Sequence, residues 1–405
     1  MATGAAPSGT LFPVKGFQLG TAKAGIRYPD RRDLVVMHWP ESASVAGVFT
    51  QNAFCAAPVH LCRERIPQSP CALLVNTGFA NAGTGEQGMA DARRTTAVLA
   101  ETLGCDSNKV LSFSTGVIGE LMPVERLEAG ISGCVESLSE EGWWQAAEGI
   151  MTTDTRPKGF SRQFTFEGET YTVTGIAKGS GMIHPNMATM LTYVATDAAV
   201  DRKLLQELQT EIADQSFNRI TVDGDTSTND SSLLIATGQV GNSVVDSREH
   251  PLFAPLAEVI KSVSQDLAKS LVMDGEGATR FVTVLVEGAE TVEQAHTVAN
   301  TVALSPLVKT ALFACDPNWG RILAAAGRAP VDNLDVSRIT IHLDDVLIAE
   351  QGGVASSYRE EDGQAVMNQE AYTIRIGIGL GSASTQVWTS DLSHEYVTIN
   401  ADYRT

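Results

Sequence analysis

The sequence predicts an α+β protein: mixed sheets packed with helices, followed by a smaller C-terminal α+β domain. Three observations predict it. Short β-rich runs and amphipathic helical patterns recur along the chain. A fresh series of strand, helix and hairpin patterns begins near residue 281. The 405 residues, 43% hydrophobic and 19% charged, suffice for a large buried core.

The elements follow in order. DLVVMHW (33–39), VAGVFTQ (45–51) and CALLVNTG (71–78) read as strands. ARRTTAVLAETLG (92–104) reads as a helix stopped by Gly104, since glycine accepts the left-handed backbone that ends helices. KVLSFSTGVIG (109–119) is a strand breaking into a glycine-containing loop, and PVERLEAGISGCVESL (123–138) is a helix with proline in its first turn. FTFEGETYTVTGIAKG (164–179) alternates about Glu-Gly as a hairpin. MLTYVATDA (190–198), RITVDGD (219–225) and SSLLIATG (231–238) are strands around a helix at 201–217, and a long amphipathic helix covers about 255–273. The tail then reads strand (281–289), helix (290–303), hairpin (338–352) and strand (372–381), with a strand-like run shortly before residue 405. The change of pattern near 280–290 sets a main body at 1–285 and a C-terminal domain at 286–405.

Composition removes several classes. A formal charge of −19 disfavours nucleic acid, whose binding rests on cations neutralising phosphates. No apolar run approaches the ~18 residues that span a bilayer, and MATGAAPSGTLFPVKG lacks the basic and apolar regions of a secretion signal. The expected location is the cytoplasm. Six dispersed cysteines without C-x-x-C, and no H-E-x-x-H, leave no zinc pattern. The glycines of RIGIGLG sit in an alternating strand rather than between strand and helix, so they make no dinucleotide loop. DGDTSTND (223–230) spaces its aspartates like a calcium loop but lacks the glycine and glutamate such a loop needs; it reads as a turn-rich loop, with lining of the active site as the alternative.

The informative segment is KGSGMIHPNMATML at 178–191. Gly179 and Gly181 permit unusual backbone paths, and Pro185 fixes φ just before Thr189. A threonine hydroxyl is a weak nucleophile without an adjacent base. If the Ala188–Thr189 bond were cut, the new α-amine would be that base, with a reference pKa of about 7.7–8. Lys178 could lower it by like-charge repulsion, or orient substrate. An ordinary β-forming threonine explains the spacing too. Ser114-Thr115-Gly116-Val117 offers a hydroxyl and a close backbone for an oxyanion, or is a plain loop.

KGSGMIHPNMATM resembles the processing site of the ornithine acetyltransferase (glutamate N-acetyltransferase) family. SVAGVFTQN (44–52), STGVIGE (114–120), IMTTDTRPK (150–158), FNRITVDGDTSTND (217–230), DGEGATRFV (274–282), LVKTALFACDPNWGRILAA (307–325) and DLSHEYVTINADYRT (391–405) resemble it too, in order and over nearly the whole chain. The resemblance implies an N-terminal-nucleophile-type enzyme that cleaves itself between Ala188 and Thr189 into chains 1–188 and 189–405. Thr189 then takes acetyl from N-acetylornithine and passes it to glutamate in a ping-pong cycle; some members also accept acetyl-CoA. Thr115 and Gly116 match the oxyanion pair, and Thr152, Lys178, Thr189, Glu276, Asn400 and Thr405 match substrate-binding positions. No bound cofactor or metal is implied, and the implied assembly is a dimer of cleaved heterodimers. The competing readings are an N-terminal-nucleophile amidase or aminopeptidase using water, and an acidic binding or scaffold protein.

Overall fold

The apolar runs become strands of three sheets. The structure is a computed structural model that describes residues 2–184 and 190–401. The expectations placed on Ala188, Thr189 and Thr405 lie outside the described residues.

The chain runs β1 (Gln18–Ala22), β2 (Leu34–His38), β3 (Ser44–Phe49), α1 (Ala57–Arg65), β4 (Ala72–Phe79), α2 (Gly85–Leu103) and β5 (Val110–Val117). It continues through α3 (Val124–Glu136), α4 (Trp143–Gly149), β6 (Lys158–Phe166), β7 (Glu169–Lys178), β8 (Leu191–Thr196), α5 (Arg202–Gln215), β9 (Ile220–Thr221) and β10 (Ser231–Ala236). Next come α6 (Phe253–Met273), β11 (Phe281–Ala289), α7 (Val292–Ala303), α8 (Pro306–Phe313), α9 (Trp319–Gly327) and β12 (Thr340–Leu343). The last elements are β13 (Val346–Glu350), β14 (Gly353–Val354), α10 (Glu360–Met367), β15 (Ala371–Gly377), β16 (Ala383–Ser390) and α11 (His394–Ala401).

The sheets are β1-β2-β4-β5, β3-β10-β8-β7-β6 and β14-β13-β12-β15-β11-β16-β9. Each mixes parallel and antiparallel pairs, for instance parallel β4–β5 beside antiparallel β2–β4, so the fold is α+β with mixed sheets. Strand periodicity explains the layering. Successive side chains point to opposite faces, so Val35, Leu73, Leu111 and Phe113 of the first sheet meet Leu191, Tyr193, Leu233 and Ile235 of the second in one core. Leu34, Val36, Leu74 and Val110 point the other way, onto α2 and α3. Val194 and Leu234 likewise point onto α5 and α6. The order is helices, sheet, sheet, helices. Strands buried on both faces read as continuous apolar runs, which is why LLV and LLIA carry so little alternation. The third sheet has its own core with α7, α8 and α9, although its edge strand β9 comes from earlier in the chain.

Local signals hold where their chemistry is local. Gly104 caps α2 at φ 72°, and the Glu167–Gly168 turn between β6 and β7 has φ of 50° and 88°. The strand-like run YVTIN is instead part of helix α11. β-branched residues favour strands where a pleated face receives them; here Val397 is exposed, while the Thr398 hydroxyl donates to His394 O within the helix.

Candidate active site

Five segments converge where the ends of β5 and β7 meet the end of α6. Thr115 and Gly116 lie near the end of β5. Gly116 has φ +134°, and a Cβ there would stand 2.3 Å from the carbonyl carbon of Gly78 on β4. Only glycine lets the two strands close at that level.

Lys178 is the last residue of β7, and its ammonium donates to Thr115 Oγ1 at 3.1 Å. Burial lowers the Lys178 pKa, against the attraction of Asp154, Asp230 and Glu276. Just past α6, Glu276 is nearly buried and anchored by its N–H to Ser180 O at 2.8 Å. Gly181 makes room for it, since a Cβ there would fall 2.3 Å from Glu276 Oε2. Asn400 on α11 donates through Nδ2 to the same oxygen at 2.8 Å. The chain before β6 adds Thr152 and Thr153, and the Thr153 hydroxyl lies 2.7 Å from that of Ser180.

Thr115, Gly116, Thr152, Lys178, Glu276 and Asn400 thus line one cleft of about 270 Å³. Each of the site residues expected from sequence that falls among the described residues is in it. A second cavity of about 290 Å³, walled by Arg27, Arg31 and Met151, joins the cleft at Gly116 and Thr152. Met190, the residue that follows Thr189 in sequence, borders a small cavity on the same side with Thr115 and Lys178.

Two further groups stand at the site: the sequence left open that the first lines it and did not mark the second. Ser227, Thr228 and Asn229 from the turn-rich loop line the cleft, and Asn229 Nδ2 donates to Ala80 O at 2.6 Å and to Ser114 O at 2.8 Å. The density of small polar residues in DGDTSTND was the available signal. The second group is a buried charge cluster. Lys158 Nζ lies 2.6 Å from both Asp154 Oδ1 and Asp274 Oδ2, with all three side chains wholly buried. Asp154 also accepts from Gly179 N (2.7 Å) and Thr152 N (3.0 Å), and Asp274 accepts from Thr155 N (3.0 Å). One lysine therefore ties together the three segments carrying Thr152, Lys178 and Glu276. Burial pushes the Asp154 carboxyl up, but Lys158 and Lys178 outweigh it and hold it below the usual carboxylate range.

Among the described residues no group of His, Cys, Asp or Glu is arranged to hold a metal, and no helix is long and apolar enough to cross a membrane.

The ArgJ family model matches residues 18–405. The chain is 58% identical to the arginine biosynthesis bifunctional protein ArgJ of Pseudomonas fluorescens (strain Pf0-1), over all of both chains. It is 56% identical to the protein of the same name from Pseudomonas syringae pv. tomato, also over all of both. Among solved structures, the bifunctional protein argJ of Bacillus halodurans is 36% identical, with a TM-score of 0.49, over 51% of this chain and 95% of that one.

Proposed function

Because the chain belongs to the ArgJ family, we propose that it is an acetyltransferase of arginine biosynthesis, moving acetyl from N-acetylornithine to glutamate through an acetyl ester on Thr189. By extension from the bifunctional relatives, it also acetylates glutamate from acetyl-CoA; the cavity beside the cleft supports this, since a longer donor needs room beyond the acetyl position. The observation that carries the reading is the convergence of Thr115, Gly116, Thr152, Lys178, Glu276 and Asn400 on one cleft beside the start of β8.

The chemistry follows from the groups. Cleavage between Ala188 and Thr189 frees an α-amine, and that amine takes the hydroxyl proton as Thr189 attacks the acetyl carbonyl. Thr115 already accepts a hydrogen bond from Lys178, so its own O–H is left to donate to the oxyanion, beside the Gly116 backbone. The Lys178 cation polarises that hydroxyl and strengthens its donation. Glu276 suits the δ-ammonium of ornithine, with Asn400 fixing its carboxylate; Lys178 suits a substrate carboxylate, and Thr152 and Thr405 complete the pocket. Chains 1–188 and 189–405 stay together in a cytoplasmic dimer of heterodimers, with the domain boundary near residue 285.

Incubation with N-acetylornithine, with and without glutamate, tests this. Ornithine release sustained over many turnovers should require glutamate, and acetyl-CoA should replace N-acetylornithine as donor. Steady acetate release with no amino-acid acceptor would identify a hydrolase instead. Thr115→Ala should lower kcat by ~10²–10³-fold, the usual cost of one oxyanion donor, with little change in KM.

A further inference from the structure

Self-cleavage and acetyl transfer cannot share a base. Before cleavage the nitrogen of Thr189 is an amide in the bond to Ala188, with no basic lone pair. The group that takes the hydroxyl proton in the precursor must come from elsewhere in the fold.

The cavity at the start of β8 holds about 30 Å³ and is bordered by Met190, Leu191, Thr115, Lys178, Asn229 and Asp230. Among the described residues lining it, only Lys178 and Asp230 titrate. Asp230 immediately precedes β10, which runs parallel to β8 with Ser231 opposite Leu191. Ser231 N–H donates to Met190 O at 2.8 Å, so Asp230 sits level with the residue bonded to Thr189. Its backbone is pinned by Thr50 N–H donating to Asp230 O at 2.9 Å. The side chain is 3% exposed, and Oδ2 is buried without a hydrogen-bond partner. An acceptor left bare in a protein interior is costly and calls for a function.

We propose that Asp230 is the proton acceptor and donor of the self-cleavage step, paired with Lys178. This rests on the reading of Thr189 as nucleophile. The Thr189 hydroxyl oxygen bonds to the carbonyl carbon of Ala188 while its proton passes to Asp230. The C–N bond then breaks, and Asp230 returns the proton to the departing nitrogen, which becomes the Thr189 amine. Water cleaves the resulting ester, leaving the Ala188 carboxylate and the free hydroxyl. Burial raises the proton affinity of Asp230, against the opposing pull of Ser227 and Lys178, which favours its taking up the hydroxyl proton.

The test is the cleavage time course of freshly purified Asp230→Asn, followed by intact mass, with circular dichroism and Tm to verify folding. The expected result is a folded precursor cut at least ~10²-fold more slowly than wild type, the scale of a lost general acid–base group. If the asparagine variant does not fold, Asp230→Glu, which displaces the acid by one methylene, is expected to be cut about 10-fold more slowly or worse. Either variant cleaving at the wild-type rate overturns the proposal. A wild-type chain that stays whole overturns the Thr189 reading and this inference together; a cut wild type with an equally cut variant overturns this inference alone.

Discussion

Replacing Thr189 with alanine is expected to leave one uncut chain of 405 residues and to abolish acetyl transfer. In the proposed function one hydroxyl serves both reactions, so both should disappear together. The expected fall in kcat is at least about 10⁴-fold, because knocking out the nucleophile of a concerted site costs nearly as much as removing the whole site. Thr189→Ser keeps the hydroxyl and loses only the methyl that restricts χ1, so it should retain partial cleavage and partial transfer. A denaturing gel and a transfer assay on the same samples read both effects. An alanine variant that is still cut, or still transfers acetyl, would exclude Thr189 from both roles.

The second large effect is expected at Lys158. Lys158→Met keeps the length of the side chain but leaves Asp154 and Asp274 buried without their cation. Removing one partner of a buried pair typically costs about 3–5 kcal/mol, since the desolvation of the remaining charge is no longer offset. Urea unfolding should show a lowered midpoint and an unfolding free energy smaller by that amount. The pH dependence carries a sign. In the wild type the Asp154 pKa is depressed, so its stabilising contribution is complete above the usual carboxylate range and is lost only as pH falls through the lower folded value. Without Lys158 the burial of Asp154 is less opposed and its folded pKa rises, which destabilises the ionised form. The deficit of Lys158→Met should therefore shrink as the buffer is taken from pH 8 towards pH 5. Transfer should fall as well, because Asp154 fixes Gly179 N beside Lys178 and also Thr152 N. A variant as stable as wild type across that range would show that the cluster does not hold these segments.

The split between what the sequence revealed and what it hid follows the range of the forces. β4 and β10 are legible because both of their faces are buried, which forces continuous apolar side chains, and Gly104 is legible because a left-handed cap is decided by one residue. The cleft residues were reached through motif resemblance, and the fold brings Thr115, Lys178, Glu276 and Asn400 together from β5, β7, the end of α6 and α11. Lys158 and Asp274 are 116 positions apart, and nothing in either neighbourhood marks the charge as buried. Asp230 looks like one more loop aspartate until β8 and β10 lie side by side. YVTIN misleads because its β-branched residues lie in a helix with no buried residue, where no pleated face receives them.

Intact mass spectrometry of the purified protein, denatured after mixing with N-acetylornithine in the absence of glutamate, reads the nucleophile most directly. The expected spectrum contains a fragment ending at Ala188 and a fragment beginning at Thr189, the second heavier by one acetyl group that fragmentation places on Thr189. Adding glutamate before denaturation should remove that mass. A whole chain, a new N-terminus at any other residue, or an acetyl group mapped elsewhere would contradict the assignment of Thr189 as the residue that cuts the backbone and carries the acetyl group.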